Sequence, residues 1–356
     1  MLTTADVSCG APLLSAAEVA ALQPLRTPIA DSRGAMRERM RHTGQWTATQ
    51  MAGRRWPVAC VSLEITQRCN LDCTLCYLSD SAQAVRDFPL DEVMRRIDSI
   101  HAHYGPGTDV QVSGGEPTLR KRDELLAIVA RIAALGMRAT LFTNGIKATR
   151  GLLRELSAVG LTDVAFHVDA TQQRVGYASE SELNGLRTEY IERARGLPIG
   201  VFFNTTVHEG NFADVPMLAQ FFVRNADVVR FASFQLQAET GRGVLGARLD
   251  AISNSSVAAR LQQGAGTALR FNALQAGHSE CNRSAVLLVI AGRVFDAFDD
   301  AAFVTRFMNE TADSRIDRAT RWRAFRSLAG AALRRPLLCA AALRWAARFA
   351  WRARRE

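Results

Sequence analysis

The sequence predicts an α/β fold built on a parallel sheet with crossover helices. Two observations carry this. From residue 58 onward, short apolar, β-branched runs alternate with segments of helical periodicity. Six such runs occur before residue 237, each too far from the next for a hairpin. An open or partial β/α barrel and a doubly wound sheet both satisfy that count, and in both the chemistry gathers at the carboxyl ends of the strands.

VACVSLEIT (58–66) reads as a buried strand, and PLDEVMRRIDSIHAHY (89–104) as a helix opened by Pro89. DVQVS (109–113) is a strand, and KRDELLAIVARIAAL (121–135) a helix ended by Gly136. RATLFT (138–143), DVAFHVDA (163–170), GVFFNTTV (200–207) and VVRFASFQ (228–235) read as the remaining strands. Helices are expected between them at 149–159, 181–195 and 215–223. Residues 1–57 form an N-terminal extension with a helix near 33–41 and no core pattern. After residue 237 the regularity weakens. GRGVLGARLDAISNSS is loop-like, SAVLLVIAGRVFDAF (284–298) reads as two strands about an Ala-Gly turn, and residues 311–356 form a basic helical tail.

The chain has 356 residues, 48% of them hydrophobic, enough for a large core. Net charge is +9, and its placement matters. Residues 321–356 hold ten of the 44 Lys and Arg and one of the 35 Asp and Glu, which leaves 34 of each elsewhere. The body therefore lacks the general basic character of a nucleic-acid binder. No early basic region precedes a long apolar run, and no apolar run reaches 18 residues. The expectation is a cytoplasmic protein that touches the membrane, if at all, from the inner face.

Seven cysteines are too few for a disulfide scaffold, but three of them crowd into 69-CNLDCTLCY-77 directly after the first strand. Three thiolates on one tight loop can converge on one metal centre. Structural zinc wants four ligands, and no histidine lies between His42 and His101 to supply the fourth locally. A cubane iron–sulfur cluster held by three cysteines keeps one iron open for a ligand. The competing readings are a zinc site completed from afar and a chance grouping of small buried residues.

Cys69, Cys73 and Cys76, followed by the aromatic Tyr77, resemble the CxxxCxxC motif of the radical S-adenosylmethionine superfamily. A second match, 114-GGEP-117, follows the second strand. The resemblance covers roughly residues 58–237 and implies a partial (β/α)6 barrel. It implies a [4Fe–4S] cluster on the three cysteines. The open iron of that cluster chelates S-adenosyl-L-methionine, and reduction cleaves the sulfonium to a 5′-deoxyadenosyl radical that takes hydrogen from an unactivated carbon. It places Tyr77, Gly114, Gly115, Glu116 and Pro117 in the cofactor site, with Glu116 near the methionine ammonium. It calls for a reductant protein of flavodoxin or ferredoxin type as electron donor.

Later strand ends supply further candidates. Thr143 and Asn144, with Gly145, end the third strand, where the family often has a similar turn. His167 and Asp169 share one face of the fourth, because i and i+2 point together. Asp169 is a candidate for the ribose or the substrate, and equally for a polar strand cap. Asn204 resembles a polar residue that meets the cofactor ribose, and Gln235 and Gln237 are candidates for the far wall of the cavity. In 277-GHSECN-282, Cys281 and His278 are candidate catalytic residues, against the plainer reading of a buried structural cysteine.

In the tail, Leu337, Ala341, Trp345 and Phe349 recur every four residues beside a line of arginines, with Pro336 expected to break the segment into two helices. A basic, aromatic-rich amphipathic helix suits an anionic membrane surface, or packs its stripe on the body. The membrane reading directs the substrate expectation toward a lipid, and the layout is similar to radical enzymes that act on lipid chains. A ribosomally made peptide and an RNA are the alternative substrates. A non-enzymatic iron–sulfur redox scaffold is the alternative from another class.

Overall fold

In the computed structural model the described residues are 60–238, 241, 252–271, 282–311, 314 and 321–355, together with 34, 38 and 42, which are helical. The 1–57 extension otherwise lies outside the described residues, as do Cys281 and His278.

Six parallel strands form one sheet: β1 (Val61–Thr66), β2 (Asp109–Gly114), β3 (Arg138–Thr143), β4 (Leu161–His167), β5 (Gly200–Val207) and β6 (Val229–Leu236). Their spatial order is their order in the chain. That settles the choice the sequence left open. A doubly wound sheet needs a point where strand order reverses, and none exists here. Successive crossovers of one hand put every helix on the same face, and the sheet curls into a partial (β/α)6 barrel.

The crossover helices are α1 (Leu90–Tyr104), α2 (Arg122–Ala134), α3 (Arg150–Ala158), α4 (Glu180–Ala194) and α5 (Val215–Arg224). Their starts are local chemistry. Thr149 accepts a hydrogen bond from the Leu152 amide, and Ser179 one from the Glu182 amide, each satisfying a donor that the first turn leaves open. All five helices pack into a single core with one face of the sheet. Ile97, Ile128, Leu156, Leu186 and Phe222 meet Ile65, Val112, Leu141, Phe166 and Phe203 there. Strand alternation leaves the opposite, concave face to Ser62, Glu64, Gln111, Ser113, Phe142, His167, Phe202 and Asn204. Among the described residues six strands leave the barrel unclosed, so this concave face is open on one side.

One strand end departs from expectation. The fourth strand stops at His167 and not at residue 170. The Asp169 side chain accepts from the Thr171 amide and turns the chain into a short 3-10 helix, Ala170–Gln172.

Beyond the sheet lies α6 (Asn254–Ala265), which begins at the end of the stretch that reads as loop. Its start is a capping box in which Ser253 and Ser256 satisfy each other's backbone amides. Next come the antiparallel strands β7 (Leu287–Ile290) and β8 (Arg293–Asp296), which reverse at Ala291-Gly292, and α7 (Ala301–Glu310). The tail forms α8 (Arg321–Leu333) and α9 (Pro336–Arg355).

At Trp345 and Phe349 the tail takes the second of the two sequence readings, a stripe packed on the body, while Leu337 stays exposed. The stripe through Trp345 and Phe349 is not a free apolar face. Trp345 stacks on Phe303 with centroids 5.8 Å apart, and Phe349 meets Phe295 edge-on at 5.5 Å. The Trp345 indole donates to Asp299 at 3.0 Å, Arg352 pairs with Asp299 at 2.5 Å, and Arg348 with Asp300 at 2.6 Å. This side of α9 is closed onto the β7–β8–α7 unit. Among the described residues no helix is long and apolar enough to cross a membrane.

Candidate active site

The cysteine loop leaves β1 and is pinned on both sides. Gln83 accepts from the Cys69 amide at 3.2 Å and donates to the Cys69 carbonyl at 2.7 Å. The Thr74 amide donates to the Thr171 carbonyl at 2.9 Å, which ties the loop to the end of β4. The Tyr77 hydroxyl donates to the Gly114 carbonyl at 3.1 Å.

All three cysteines are half-buried, and each lies near enough to alter its neighbours' charge balance. Burial raises the Cys69 thiol above its ordinary range. Burial, then Asp169 and the other two cysteines, push Cys73 up to about 12, against the pull of Arg174. Metal binding at such thiols must release protons. Among the described residues no three His, Cys, Asp or Glu side chains are already closed into a ligand set. The donors still suit an iron–sulfur cluster. They are three sulfurs on one loop of irregular backbone, which can draw together around a metal, and soft thiolates select such clusters.

The glycines of the GGEP turn have a specific use. A Cβ on Gly114 would sit 1.9 Å from the Thr66 carbonyl oxygen, and φ there is +139°. A Cβ on Gly115 would sit 2.3 Å from the Arg68 carbonyl oxygen and 2.4 Å from that of Gln67. The Gly115 amide donates to the Thr66 carbonyl and the Glu116 amide to the Arg68 carbonyl, both at 2.8 Å. What the absent side chains admit is thus the backbone that leads into the cysteine loop.

Glu116 is fully buried. One carboxylate oxygen accepts from the Thr118 amide (3.0 Å), the Thr118 hydroxyl (2.5 Å) and the Thr143 hydroxyl (2.8 Å), and the other from the Asn144 amide (2.7 Å). The carboxylate therefore joins the β2 turn to the end of β3, and Pro117 starts the short helix beside it. Asn144 is buried too. Its side-chain nitrogen donates to Asn70 at 2.7 Å and lies 4.0 Å from the Cys69 sulfur. Thr143 and Asn144 thus link the third strand end to the cysteine loop.

The fourth and fifth strand ends form a second cluster. Asp169 is fully buried and meets His167 at 2.7 Å. It also accepts from the Thr206 amide at 2.8 Å and from the Thr171 amide at 3.0 Å. Burial pushes its carboxyl up, but the imidazole and these donors outweigh that and hold it well below the usual carboxylate range. Burial pulls the His167 imidazole down, and the Asp169 carboxylate more than reverses it, so its pKa is raised. His167 is one-third exposed, while Asp169 is sealed beneath it. Asn204 is buried and sits opposite His167 in the β4–β5 register. Gln235 is exposed and Gln237 half-buried past the end of β6.

Several residues at this rim carry no short-range sequence signal. Arg174 donates to the Asn144 carbonyl at 2.5 Å and to the Tyr190 hydroxyl at 3.0 Å, which bridges β3 and α4 beside Cys73. Glu180 and Arg187 form a fully buried ion pair. Glu180 also accepts from the Ala170 amide (3.0 Å) and from Asn211 (2.9 Å), and Arg187 donates to the Val168 carbonyl (2.8 Å). Burial lowers the Arg187 pKa against the pull of Glu180.

Two surface hollows, about 580 and 380 Å³, lie beside α7 and α6 and share no lining residue with this rim.

Comparison with known proteins agrees with this geometry. Residues 63–222 match the model of the radical SAM superfamily. The chain is 27% identical over 186 residues to 7,8-dihydro-6-hydroxymethylpterin dimethyltransferase of Methanocaldococcus jannaschii, covering 51% of this chain and 37% of that protein. It is 33% identical over 168 residues to the PqqA peptide cyclase of Xanthomonas euvesicatoria, covering 45% and 43%. Among solved structures, Streptococcus suis SuiB bound to S-adenosylmethionine aligns with a TM-score of 0.44 and 14% identity, over 58% of this chain and 46% of that one. The chain spans about two-fifths of the length of the curated relatives it matches. The parallel half-barrel, its cysteine loop after β1 and its GGEP turn after β2 are a radical SAM domain, the kind that works with a [4Fe–4S] cluster and S-adenosylmethionine.

Proposed function

We propose that this chain is a radical SAM enzyme that takes hydrogen from an unactivated carbon of a ribosomally made peptide. The observation that carries the chemistry is the cysteine loop, backed by the Gly114-Gly115 turn and tied to the ends of β3 and β4. Cys69, Cys73 and Cys76 would hold the cluster, which supplies the electron that cleaves the sulfonium. The chain's own residues bind, orient and exclude. Glu116 and Asn144 fix the loop from behind. With its carboxylate committed to protein donors, Glu116 leaves the backbone of the turn to meet the methionine end of the cofactor. His167, Asn204 and Tyr77 face the same rim, with Asp169 orienting the imidazole from below. The electron enters from a small reductant protein of flavodoxin or ferredoxin type.

Two things favour a peptide over the lipid expected from the tail. The two aromatics of the stripe that suggested lipid, Trp345 and Phe349, are packed on Phe303 and Phe295. The relatives at 31–33% identity include several PqqA peptide cyclases. A physical feature fits as well. Among the described residues β6 has no strand on its far side, and an extended peptide can add there by backbone pairing.

The test is anaerobic. The protein is reconstituted with iron and sulfide, then given dithionite and S-adenosylmethionine. 5′-Deoxyadenosine is measured with synthetic peptides from short reading frames beside its gene, with a lipid extract, and with total RNA. Product that rises with one peptide, together with a mass change in that peptide, is expected. A rise with lipid or RNA alone would overturn the substrate assignment. No product from a protein carrying a full cluster would leave only the redox scaffold.

A further inference from the structure

With one side of α9 closed onto the β7–β8–α7 unit, the other side of the tail becomes informative. A solvent face is normally polar. Here α8 exposes Trp322 (65%), Phe325 and Leu333 (84%), at positions that share one helical face with Arg326. Trp322 and Phe325 stack on each other, with centroids 5.7 Å apart. On α9, Leu343 and Trp351 are exposed on the sides turned away from Trp345 and Phe349, and Leu337, at the start of the helix, is exposed as well. Arg326, Arg344 and Arg354 are exposed among them and make no ion pair within the described residues. Arg355 lies over the Trp351 ring at 3.8 Å.

We infer that the outward faces of α8 and α9 form a peripheral docking surface for an anionic lipid bilayer. Three features select that occupant. Arg326, Arg344 and Arg354, exposed and without an ion pair within the described residues, call for a negative partner. Tryptophan, phenylalanine and leucine between the arginines need an apolar layer next to the charge, which a headgroup–acyl boundary supplies and a polyanion in water does not. Helices that lie in this boundary need not span it, in keeping with the absence of a spanning helix among the described residues. Apart from Leu337, the surface differs from the stripe the sequence suggested, whose Trp345 and Phe349 are spent on internal packing. It needs no lipid substrate: it would hold the half-barrel beside a membrane whatever enters the trough.

The experiment is sedimentation of the full-length protein with vesicles of phosphatidylcholine alone and of phosphatidylcholine with 30% phosphatidylglycerol. Binding to the anionic vesicles only, weakened by salt, is expected. The variant R326S/R344S/R354S should bind on the order of a hundredfold more weakly. The variant W322S/L333S/W351S should also lose binding, while circular dichroism and 5′-deoxyadenosine formation stay at the parental level. Failure of the parent protein to bind anionic vesicles overturns the proposal. So does full retention of binding by the tryptophan–leucine variant. Equal capture by single-stranded RNA, unaffected by that variant, would reassign the surface to a polyanion.

Discussion

Gly115→Ala is the sharpest perturbation the geometry offers. The new Cβ would meet the Arg68 carbonyl oxygen at 2.3 Å, the Gln67 carbonyl oxygen at 2.4 Å and the Arg68 carbonyl carbon at 2.7 Å. All three are backbone atoms, so no rotamer relieves the clash. Ordinary contact distance requires the turn and the loop to separate by roughly 1 Å. That shift stretches the two 2.8 Å amide bonds, Gly115 to Thr66 and Glu116 to Arg68, past useful length. Each lost bond costs about 1 kcal/mol, and forced overpacking adds about 1–3 kcal/mol. The sum, about 3–5 kcal/mol, is a large share of a domain's typical 5–15 kcal/mol. The assay is thermal denaturation of the cluster-free protein, with iron content after anaerobic reconstitution. Melting should fall by about 6–20 °C and iron retention should drop with it. Gly185→Ala is the control. It lies within α4 with nothing within 4 Å of the added methyl, and it should stabilise by up to about 1 kcal/mol. Parental melting and full iron in Gly115→Ala would refute the reading of the turn as the loop's backing.

Asp169→Asn should lower the His167 titration, followed by NMR, to below the ordinary value near about 6.5, because the buried carboxylate is what offsets the downward pull of burial. Protonation of the pair also shapes stability. Asp169 is depressed, so its contribution is present above its unfolded pKa of about 3.9 and fades as pH falls through the folded value. His167 is raised, so its contribution is complete below about 6.5 and fades as pH climbs through its folded value. Urea unfolding of the parent should therefore be most resistant between those limits, and the Asn variant should lose that extra resistance. Arg187→Met should cost about 3–5 kcal/mol by leaving Glu180 buried without its cation, read as a shift in urea midpoint. Glu116→Gln places an amide against four donors and should cost about 1–3 kcal/mol in the same measurement.

The sequence made the sheet legible because its period changes so cleanly. RATLFT and GVFFNTTV occupy β3 and β5 to the residue. It did not distinguish a half-barrel from a doubly wound sheet, since strand order is a tertiary fact. At the rim, spacing showed Cys69, Cys73 and Cys76 as one group, and the i, i+2 rule brought His167 to Asp169. The rule gave no depth: Asp169 is the sealed member and His167 the accessible one. The resemblance placed the glycines of GGEP in the cofactor site but gave no hint that the side on which their Cβ atoms would stand is filled by the backbone of residues 66–68. Arg174 and the Glu180–Arg187–Asn211 network were invisible, because their partners are carbonyls and amides brought together only by folding. The tail showed the same limit. Periodicity found the stripe of Trp345 and Phe349, but not that Phe303, Phe295 and Asp299 already occupy it.

The consecutive strand order also sets a schedule for folding. Each strand pairs with the one made just before it, so the sheet can grow by addition at one edge, and no strand waits for a later one to slip between its neighbours. The cysteine loop emerges with the first strand, yet its supports arrive late: the Gly114-Gly115 turn with β2, Asn144 with β3, and Thr171, 97 residues after Thr74, only after β4. During synthesis the three thiols are therefore on view to oxidants, and to any factor that delivers metal, well before the fold encloses them.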